Sequence, residues 1–179
     1  MQQLQHVLDT ADLLYSLDEI EQALNSLAES LSQHYADSNP LLLCVMNGSV
    51  VTTGNLLPKL NFPLELDYIH LTRYGDKLEG GELEWLHQPV TSLKDRAVIL
   101  VEDIFDEGIT INALREYCLE QGVASVKCLT LIDKLHNNKL AAQPEFIGLT
   151  VPNRYVFGFG MDYQGYWRNA PGIYAVKGR

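Results

Sequence analysis

Ala97-Val98-Ile99-Leu100-Val101-Glu102-Asp103-Ile104-Phe105-Asp106-Glu107-Gly108-Ile109-Thr110 is the stretch that decides the fold. An unbroken apolar run, Ala97 to Val101, leads into a pair of carboxylates. Apolar residues at consecutive rather than alternate positions predict a strand buried on both faces, as in a parallel sheet covered by helices. Asp106 and Gly108 then mark a turn, and helix periodicity begins after Thr110. In open parallel sheets, ligands sit beyond the carboxyl ends of the strands. A helix starting there offers unpaired N–H groups and the positive end of its dipole, which suit a phosphate. The stretch therefore predicts a phosphate cradle at the strand's end, flanked by two acids, Glu102 and Asp103, that suit a divalent cation. The same residues also fit a strand that ends in a solvated acidic turn, because Asp and Gly are common turn residues.

The neighbouring segments repeat the alternation of strand and helix. Ser16-Leu17-Asp18-Glu19 has the capping-box pattern, and Ile20, Leu24, Leu27 and Leu31 follow at helical spacing, predicting a helix to about His34. Leu41 to Met46 reads as a second apolar strand, Asn47-Gly48 as a tight turn and Ser49 to Leu60 as a helix, which makes a second anion site beside the first. Leu64 to Leu71 is a third strand. Thr72-Arg73-Tyr74-Gly75 opens a polar stretch with the composition of a flap, spanning about residues 72–87, and Glu82 to Leu86 reads as its returning strand.

Downstream, Leu114, Tyr117 and Cys118 mark a helix capped at Gly122. Ser125 to Ile132 is a strand that ends in Asp133-Lys134, joined to the first by a right-handed crossover. His136 to Gln143 is polar loop or short helix, and Glu145 to Val151 is another strand. Residues 152–179, rich in Gly and aromatics, predict irregular structure and short strands forming a small hood over the sheet's carboxyl edge. The fold class is α/β: one domain over residues 1–179, with a central, mostly parallel sheet flanked by helices.

The 179 residues suffice for a substantial core, with 46% hydrophobic and 20% charged residues. No run is long enough to span a membrane, and the first fifteen residues lack the pattern of a signal peptide. Cys44, Cys118 and Cys128 are widely spaced in apolar surroundings, which predicts buried free thiols in a reducing compartment, the cytoplasm. A net charge of −10 excludes non-specific nucleic-acid binding, which needs a basic face. Any polyanionic substrate must then be held locally, by backbone N–H groups, a metal and a few placed cations.

Apolar strand, two acids, two apolar residues, and then Asp106-Glu107-Gly108-Ile109-Thr110 resemble the ribose-phosphate signature of the type I phosphoribosyltransferases. Within them the chain most resembles the hypoxanthine-guanine phosphoribosyltransferases. Met46-Asn47-Gly48-Ser49, Tyr74-Gly75, Asp133-Lys134, Val151-Pro152-Asn153, Asp162-Tyr163 and Arg168-Asn169 follow in the family's order over nearly the whole chain.

The resemblance implies transfer of a phosphoribosyl group from phosphoribosyl pyrophosphate to a 6-oxopurine, with Mg²⁺ as cofactor and a homodimer or homotetramer as the assembly. It implies Asp106 as the acid–base group near the purine N7, and Glu102, Asp103 and Asp162 as Mg²⁺ contacts. The ribose and 5′-phosphate would lie on Glu102, Asp103 and the segment Asp106, Glu107, Gly108, Ile109 and Thr110. Pyrophosphate would meet Asn47 and Gly48, often through a cis peptide, together with Arg73, Tyr74 and Arg168. Lys134 would donate to the 6-oxo group, Tyr155 would stack on the purine, Val156 would contact its edge, and Met161 and Asp162 would lie nearby.

Four positions depart from the family pattern. Asn47 stands where Lys or Arg is usual, Arg73 replaces Ser, Glu107 replaces Thr and Asn169 replaces Asp. Arg73 is a candidate to restore the charge missing at Asn47. Glu107 is expected to point away from the phosphate, since a carboxylate facing it is repelled. Two further readings share these residues: a protein of this fold that binds the ligand but regulates rather than catalyses, and an enzyme that prefers xanthine.

Overall fold

The structure, a computed structural model, describes residues 2–73 and 83–178, apart from the side chains of Arg73 and Leu83. Its elements are α1 (Gln2–Thr10), β1 (Asp12–Tyr15), α2 (Leu17–Tyr35), β2 (Leu41–Met46), α3 (Val50–Leu56), β3 (Glu65–Arg73), β4 (Leu83–His87), β5 (Ala97–Phe105), α4 (Ile109–Glu120), β6 (Ser125–Leu135), β7 (Phe146–Pro152), β8 (Val156–Phe157) and β9 (Ile173–Ala175). A 3-10 turn, Leu57–Lys59, extends α3. Six strands form one sheet in the order β4-β3-β2-β5-β6-β7. Among the described residues, only the β3–β4 pairing at the edge of this sheet is antiparallel.

The apolar run of β5 lies at the centre of this sheet, and Val98, Ile99, Leu100 and Val101 are fully enclosed. Strand side chains alternate between faces. Ile99 and Val101 join one apolar cluster with Ile20, Leu24, Leu27 and Leu31 of α2. Val98 and Leu100 join the other with Ile111, Leu114 and Cys118 of α4. Each such side chain contributes roughly 1.5–3 kcal/mol through burial, so the two helices are held to the sheet from opposite sides. The predicted capping box is present: Ser16 Oγ accepts from Glu19 N, and Glu19 Oε2 accepts from Ser16 N at 2.9 Å.

The structure corrects several boundaries. β5 does not stop before the acids; its pairing with β6 continues to Phe105↔Asp133, so Glu102 and Asp103 lie within the strand. Phe105, 1% exposed, anchors this extension. β6 ends in Asp133-Lys134 as expected and runs one residue further, to Leu135. Residues 136–143 contain no helix. The hood is a three-stranded sheet, β1-β9-β8. Its first strand comes from the N-terminal segment, for which the sequence reading assigned no element. Trp167 Nε1 donates to Leu4 O at 2.8 Å and ties α1 to the hood. Residues 74–82 of the expected flap, including Tyr74, lie outside the described residues.

Candidate functional site

The β5–α4 turn is built around Gly108, which caps α4 with φ 88° and no side-chain hydrogen bond. A Cβ there would fall 2.6 Å from Phe105 Cε2 and 2.8 Å from Ala141 Cβ, so only glycine fits. Leu140 N donates to Glu107 O at 2.8 Å, and Lys139 Nζ donates to Phe105 O at 2.9 Å. These two bonds fix the turn from outside. With no capping side chain over it, the first turn of α4, which includes Ile109 and Thr110, presents its N–H groups and the positive dipole end to an anion.

Asp106 does not cap the helix. Its Oδ2 accepts from Lys134 Nζ at 2.6 Å and its Oδ1 meets His136 Nε2 at 2.7 Å. Asn138 N donates to His136 Nδ1 at 3.0 Å, which assigns the ring proton to Nε2 and makes His136 the donor to Asp106. Burial pushes the Asp106 carboxyl up, but Lys134 and His136 outweigh it and hold the group below the ordinary carboxylate range. The parallel register explains why Asp106 and Lys134 meet: Phe105 pairs with Asp133, so the next residue of each strand emerges at the same level. Asp133 is turned to other partners, Lys139 Nζ at 2.8 Å and Gln143 Nε2 at 3.3 Å.

Beside this turn lies the β2–α3 loop, where the Met46–Asn47 peptide is cis. A Cβ on Gly48 would fall 1.8 Å from Asp103 Oδ2, and one on Gly160 would fall 2.1 Å from Gly48 O. The loop is therefore packed between the β5 acids and the hood. Burial pushes the Asp103 carboxyl up. Glu102 is raised further, by burial and then by the neighbouring Asp103 charge. The residue is half-buried, yet Glu102 Oε2 is enclosed and has no hydrogen-bond partner. Two adjoining carboxylates, one with an orphan oxygen, are hard ligands of the kind that suit Mg²⁺, which keeps several waters. No cluster of three His, Cys, Asp or Glu residues capable of enclosing a metal occurs among the described residues.

The hood closes the far side. Arg168 Nη1 donates to Gly160 O at 2.7 Å, and its Nη2 pairs with Asp162 Oδ1 at 2.7 Å. Asp162 Oδ2 accepts from Gly165 N at 2.7 Å. A cleft of about 190 Å³ is lined by Asp103, Ile104, Asp106, Lys134, Tyr155, Val156, Met161 and Asp162. A larger hollow of about 430 Å³ lies between α2 and β7, but it brings together two carboxylates, Glu19 and Glu145, and no cation. Tyr155, 36% exposed, is available for stacking, whereas Val156 and Met161 are core residues that also floor the cleft.

The structure brings Asp103, Asp106, Lys134, Tyr155, Val156, Met161 and Asp162 to one cleft, with Gly48 against Asp103 and Arg168 paired with Asp162. Glu102, Asn47 and the turn residues Glu107 to Thr110 do not line that cleft, and Tyr74 and the side chain of Arg73 lie outside the described residues. Sequence reasoning missed His136 and Lys139. His136 lies one residue past the end of β6, so the alternation of strand side chains gives no signal for it. Lys139 had none either.

A profile of the phosphoribosyl transferase domain family matches residues 11–164. A hypoxanthine-guanine-xanthine phosphoribosyltransferase of Tritrichomonas foetus is 36% identical, covering 94% of this chain and 93% of its own. The hypoxanthine-guanine phosphoribosyltransferase of Lactococcus lactis is also 36% identical, over 92% of this chain and 90% of its own. Among solved structures, a Bacillus anthracis hypoxanthine-guanine phosphoribosyltransferase superposes with a TM-score of 0.87 at 26% identity, covering 92% of this chain and 98% of the other.

Proposed function

This chain belongs to the phosphoribosyl transferase domain family, and on that premise we propose that it transfers the 5-phosphoribosyl group of phosphoribosyl pyrophosphate to N9 of hypoxanthine or guanine, giving the nucleotide and pyrophosphate. The observation that carries the reading is the pairing of Asp106 with Lys134 in a cleft that also holds Tyr155, directly beside the α4 N-terminus.

The C1′–O bond to pyrophosphate breaks as the N9–C1′ bond forms, with oxocarbenium-like charge on the ribose. Asp106, held ionised, takes the proton from the purine N7. Lys134 has three N–H donors, so it can keep Asp106 and still donate to the 6-oxo group. Adenine offers no acceptor there and would leave that donor unmatched. Tyr155 stacks on the ring, Val156 contacts its edge, and Met161 and Asp162 complete the pocket. The amides of residues 106–110 and the Thr110 hydroxyl hold the 5′-phosphate.

Asn47, Gly48, Arg73, Tyr74 and Arg168 are the proposed contacts of the pyrophosphate. Glu102 and Asp103 would hold Mg²⁺, directly or through water, and Asp162 would be a second, separate Mg²⁺ contact; the ion would supply positive charge to the departing pyrophosphate. Residues 72–87 act as the flap, and residues 152–179, completed by β1, as the hood. The exposed apolar residues Val50, Leu66 and Tyr68 support a homo-oligomer. The buried free thiols of Cys44, Cys118 and Cys128 support residence in the cytoplasm.

The test is to incubate the purified protein with phosphoribosyl pyrophosphate, Mg²⁺ and, separately, hypoxanthine, guanine, xanthine and adenine. Equimolar nucleotide and pyrophosphate from hypoxanthine or guanine, and none from adenine, is expected. Xanthine also carries the 6-oxo group, and the Tritrichomonas relative is named for it. Ligand binding with no turnover of any base would overturn the reading in favour of a regulator.

A further inference from the structure

We propose that His136 is a positioning residue for this transfer: it anchors the Asp106 carboxylate from behind as acceptor of the purine proton, and so keeps Lys134 available for the 6-oxo group. The proposal deepens the transferase reading and rests on it.

Asp106 and Lys134 are opposite charges 2.6 Å apart. Left to themselves, the acceptor and the donor that the reaction needs would satisfy each other. His136 changes this balance. Its Nε2–H occupies Oδ1, the oxygen that Lys134 does not use. A carboxylate has about four lone-pair sites, so Asp106 can keep both partners and still accept from the purine. The bond from Asn138 N to Nδ1 fixes both the orientation and the tautomer of the ring.

The exposures are graded. The His136 side chain is 7% exposed, whereas that of Asp106 is 47% exposed. The histidine therefore stands behind and the carboxylate faces the cleft. The ring lines a separate hollow of about 660 Å³ with Asp133 and Lys139, and not the cleft that holds Asp106, Lys134 and Tyr155. It therefore acts through Asp106, setting the angle and the charge state of that carboxylate.

The loop carrying His136 is also tied to the phosphate turn by Leu140 N on Glu107 O and by Lys139 Nζ on Phe105 O. The same loop places Ala141 against Gly108. One short loop thus fixes both the proton acceptor and the phosphate cradle. The charged groups at the histidine are Asp106, which it touches, Lys134 of β6, which shares Asp106, and Asp133 of β6 and Lys139 of its own loop, which line the same hollow.

The experiment compares His136→Ala, His136→Phe and His136→Gln with the unsubstituted protein. It measures kcat and KM for hypoxanthine and for phosphoribosyl pyrophosphate across the pH range, with circular dichroism to check folding. Phe keeps the ring volume without a donor; Gln keeps a donor without the ring. A positioned base is worth about 10²–10⁴-fold, so a loosened one should cost about tenfold in kcat. His136→Ala and His136→Phe should show that loss, with KM for phosphoribosyl pyrophosphate changed by less than about twofold. Their acid limb of kcat should move to higher pH, because one of the two donors that hold Asp106 ionised is gone.

His136→Gln should recover most of kcat and return the limb toward its original place. An unmoved limb in both donor-less variants, or a Gln variant no better than Phe, would overturn the proposal while leaving the transferase reading intact. An unsubstituted protein that forms no nucleotide from any 6-oxopurine would overturn both.

Discussion

Gly48→Ala tests whether the β2–α3 loop and the β5 acids work as one unit. The added Cβ would lie 1.8 Å from Asp103 Oδ2 and 2.5 Å from its Cγ, against ordinary contact at about 3.5 Å. Something must therefore move by more than about 1 Å. Asp103 has little room, being 8% exposed. The loop cannot retreat either, because Gly160 already sits against the Gly48 carbonyl. Overpacking of this kind costs about 1–3 kcal/mol, or a fall of about 2–12 °C in Tm for a domain this size.

The functional loss should exceed the structural one, because a displacement near 1 Å in a positioning group costs about 10²-fold in rate. The assay is kcat/KM for phosphoribosyl pyrophosphate with Tm measured in parallel. Gly54→Ala is the control, since nothing lies within 4 Å of a Cβ there. A Gly48→Ala protein that keeps kcat/KM within about threefold of the original would refute the reasoning.

Lys134→Met should lower kcat/KM for hypoxanthine by about 100-fold, the worth of a charged hydrogen bond, and should erode discrimination against adenine; unchanged base selectivity would remove Lys134 from the 6-oxo contact. Glu107→Thr should tighten phosphoribosyl pyrophosphate binding modestly by deleting a charge next to the phosphate, read by calorimetry; a large loss would show that Glu107 takes part in binding. Asp67, which accepts from Tyr68 N, Val90 N and Thr91 N at 2.8, 2.9 and 2.8 Å, anchors the segment before β5. Burial pushes its carboxyl up, but these amides outweigh it and hold it below the ordinary value. Its folded pKa is thus below its unfolded one, so its stabilisation is complete above the unfolded value and is lost as pH falls through the folded one. Asp67→Asn should cost about 1–3 kcal/mol at neutral pH and converge on the original protein in acid, followed by thermal melts; a difference independent of pH would contradict this.

Where the chain repeats a period, the sequence showed the structure. Consecutive apolar residues in Leu41–Met46 and Ala97–Val101 marked strands covered on both faces, and Ser16 to Glu19 marked a helix start, because these patterns answer to local geometry. β1 was hidden because a strand of only four residues, Asp12–Tyr15, is stabilised by pairing with β9, far away in sequence. The extension of β5 through Glu102 and Asp103 was hidden for a related reason. Carboxylates are depleted from strands, and here the register with β6 overrides that preference. Gly108 and Gly48 were legible as turn glycines, but the close neighbours that require them, Phe105, Ala141 and Asp103, were not. His136 escaped because it and Asp106 each lie one residue past the end of a strand, and only the alignment of those two strand ends brings them together.

The central claim is that an acidic chain holds a phosphorylated ribose by the amides at the start of α4 and reads a 6-oxopurine through Lys134. The most direct measurement is a crystal structure of the protein with its nucleotide product, inosine monophosphate. The account predicts the 5′-phosphate within hydrogen-bonding distance of the amides around Gly108, the ribose hydroxyls at Glu102 and Asp103, and the 6-oxo group on Lys134 Nζ. A nucleotide bound with its phosphate away from Gly108, or with the purine turned from Lys134, would contradict it.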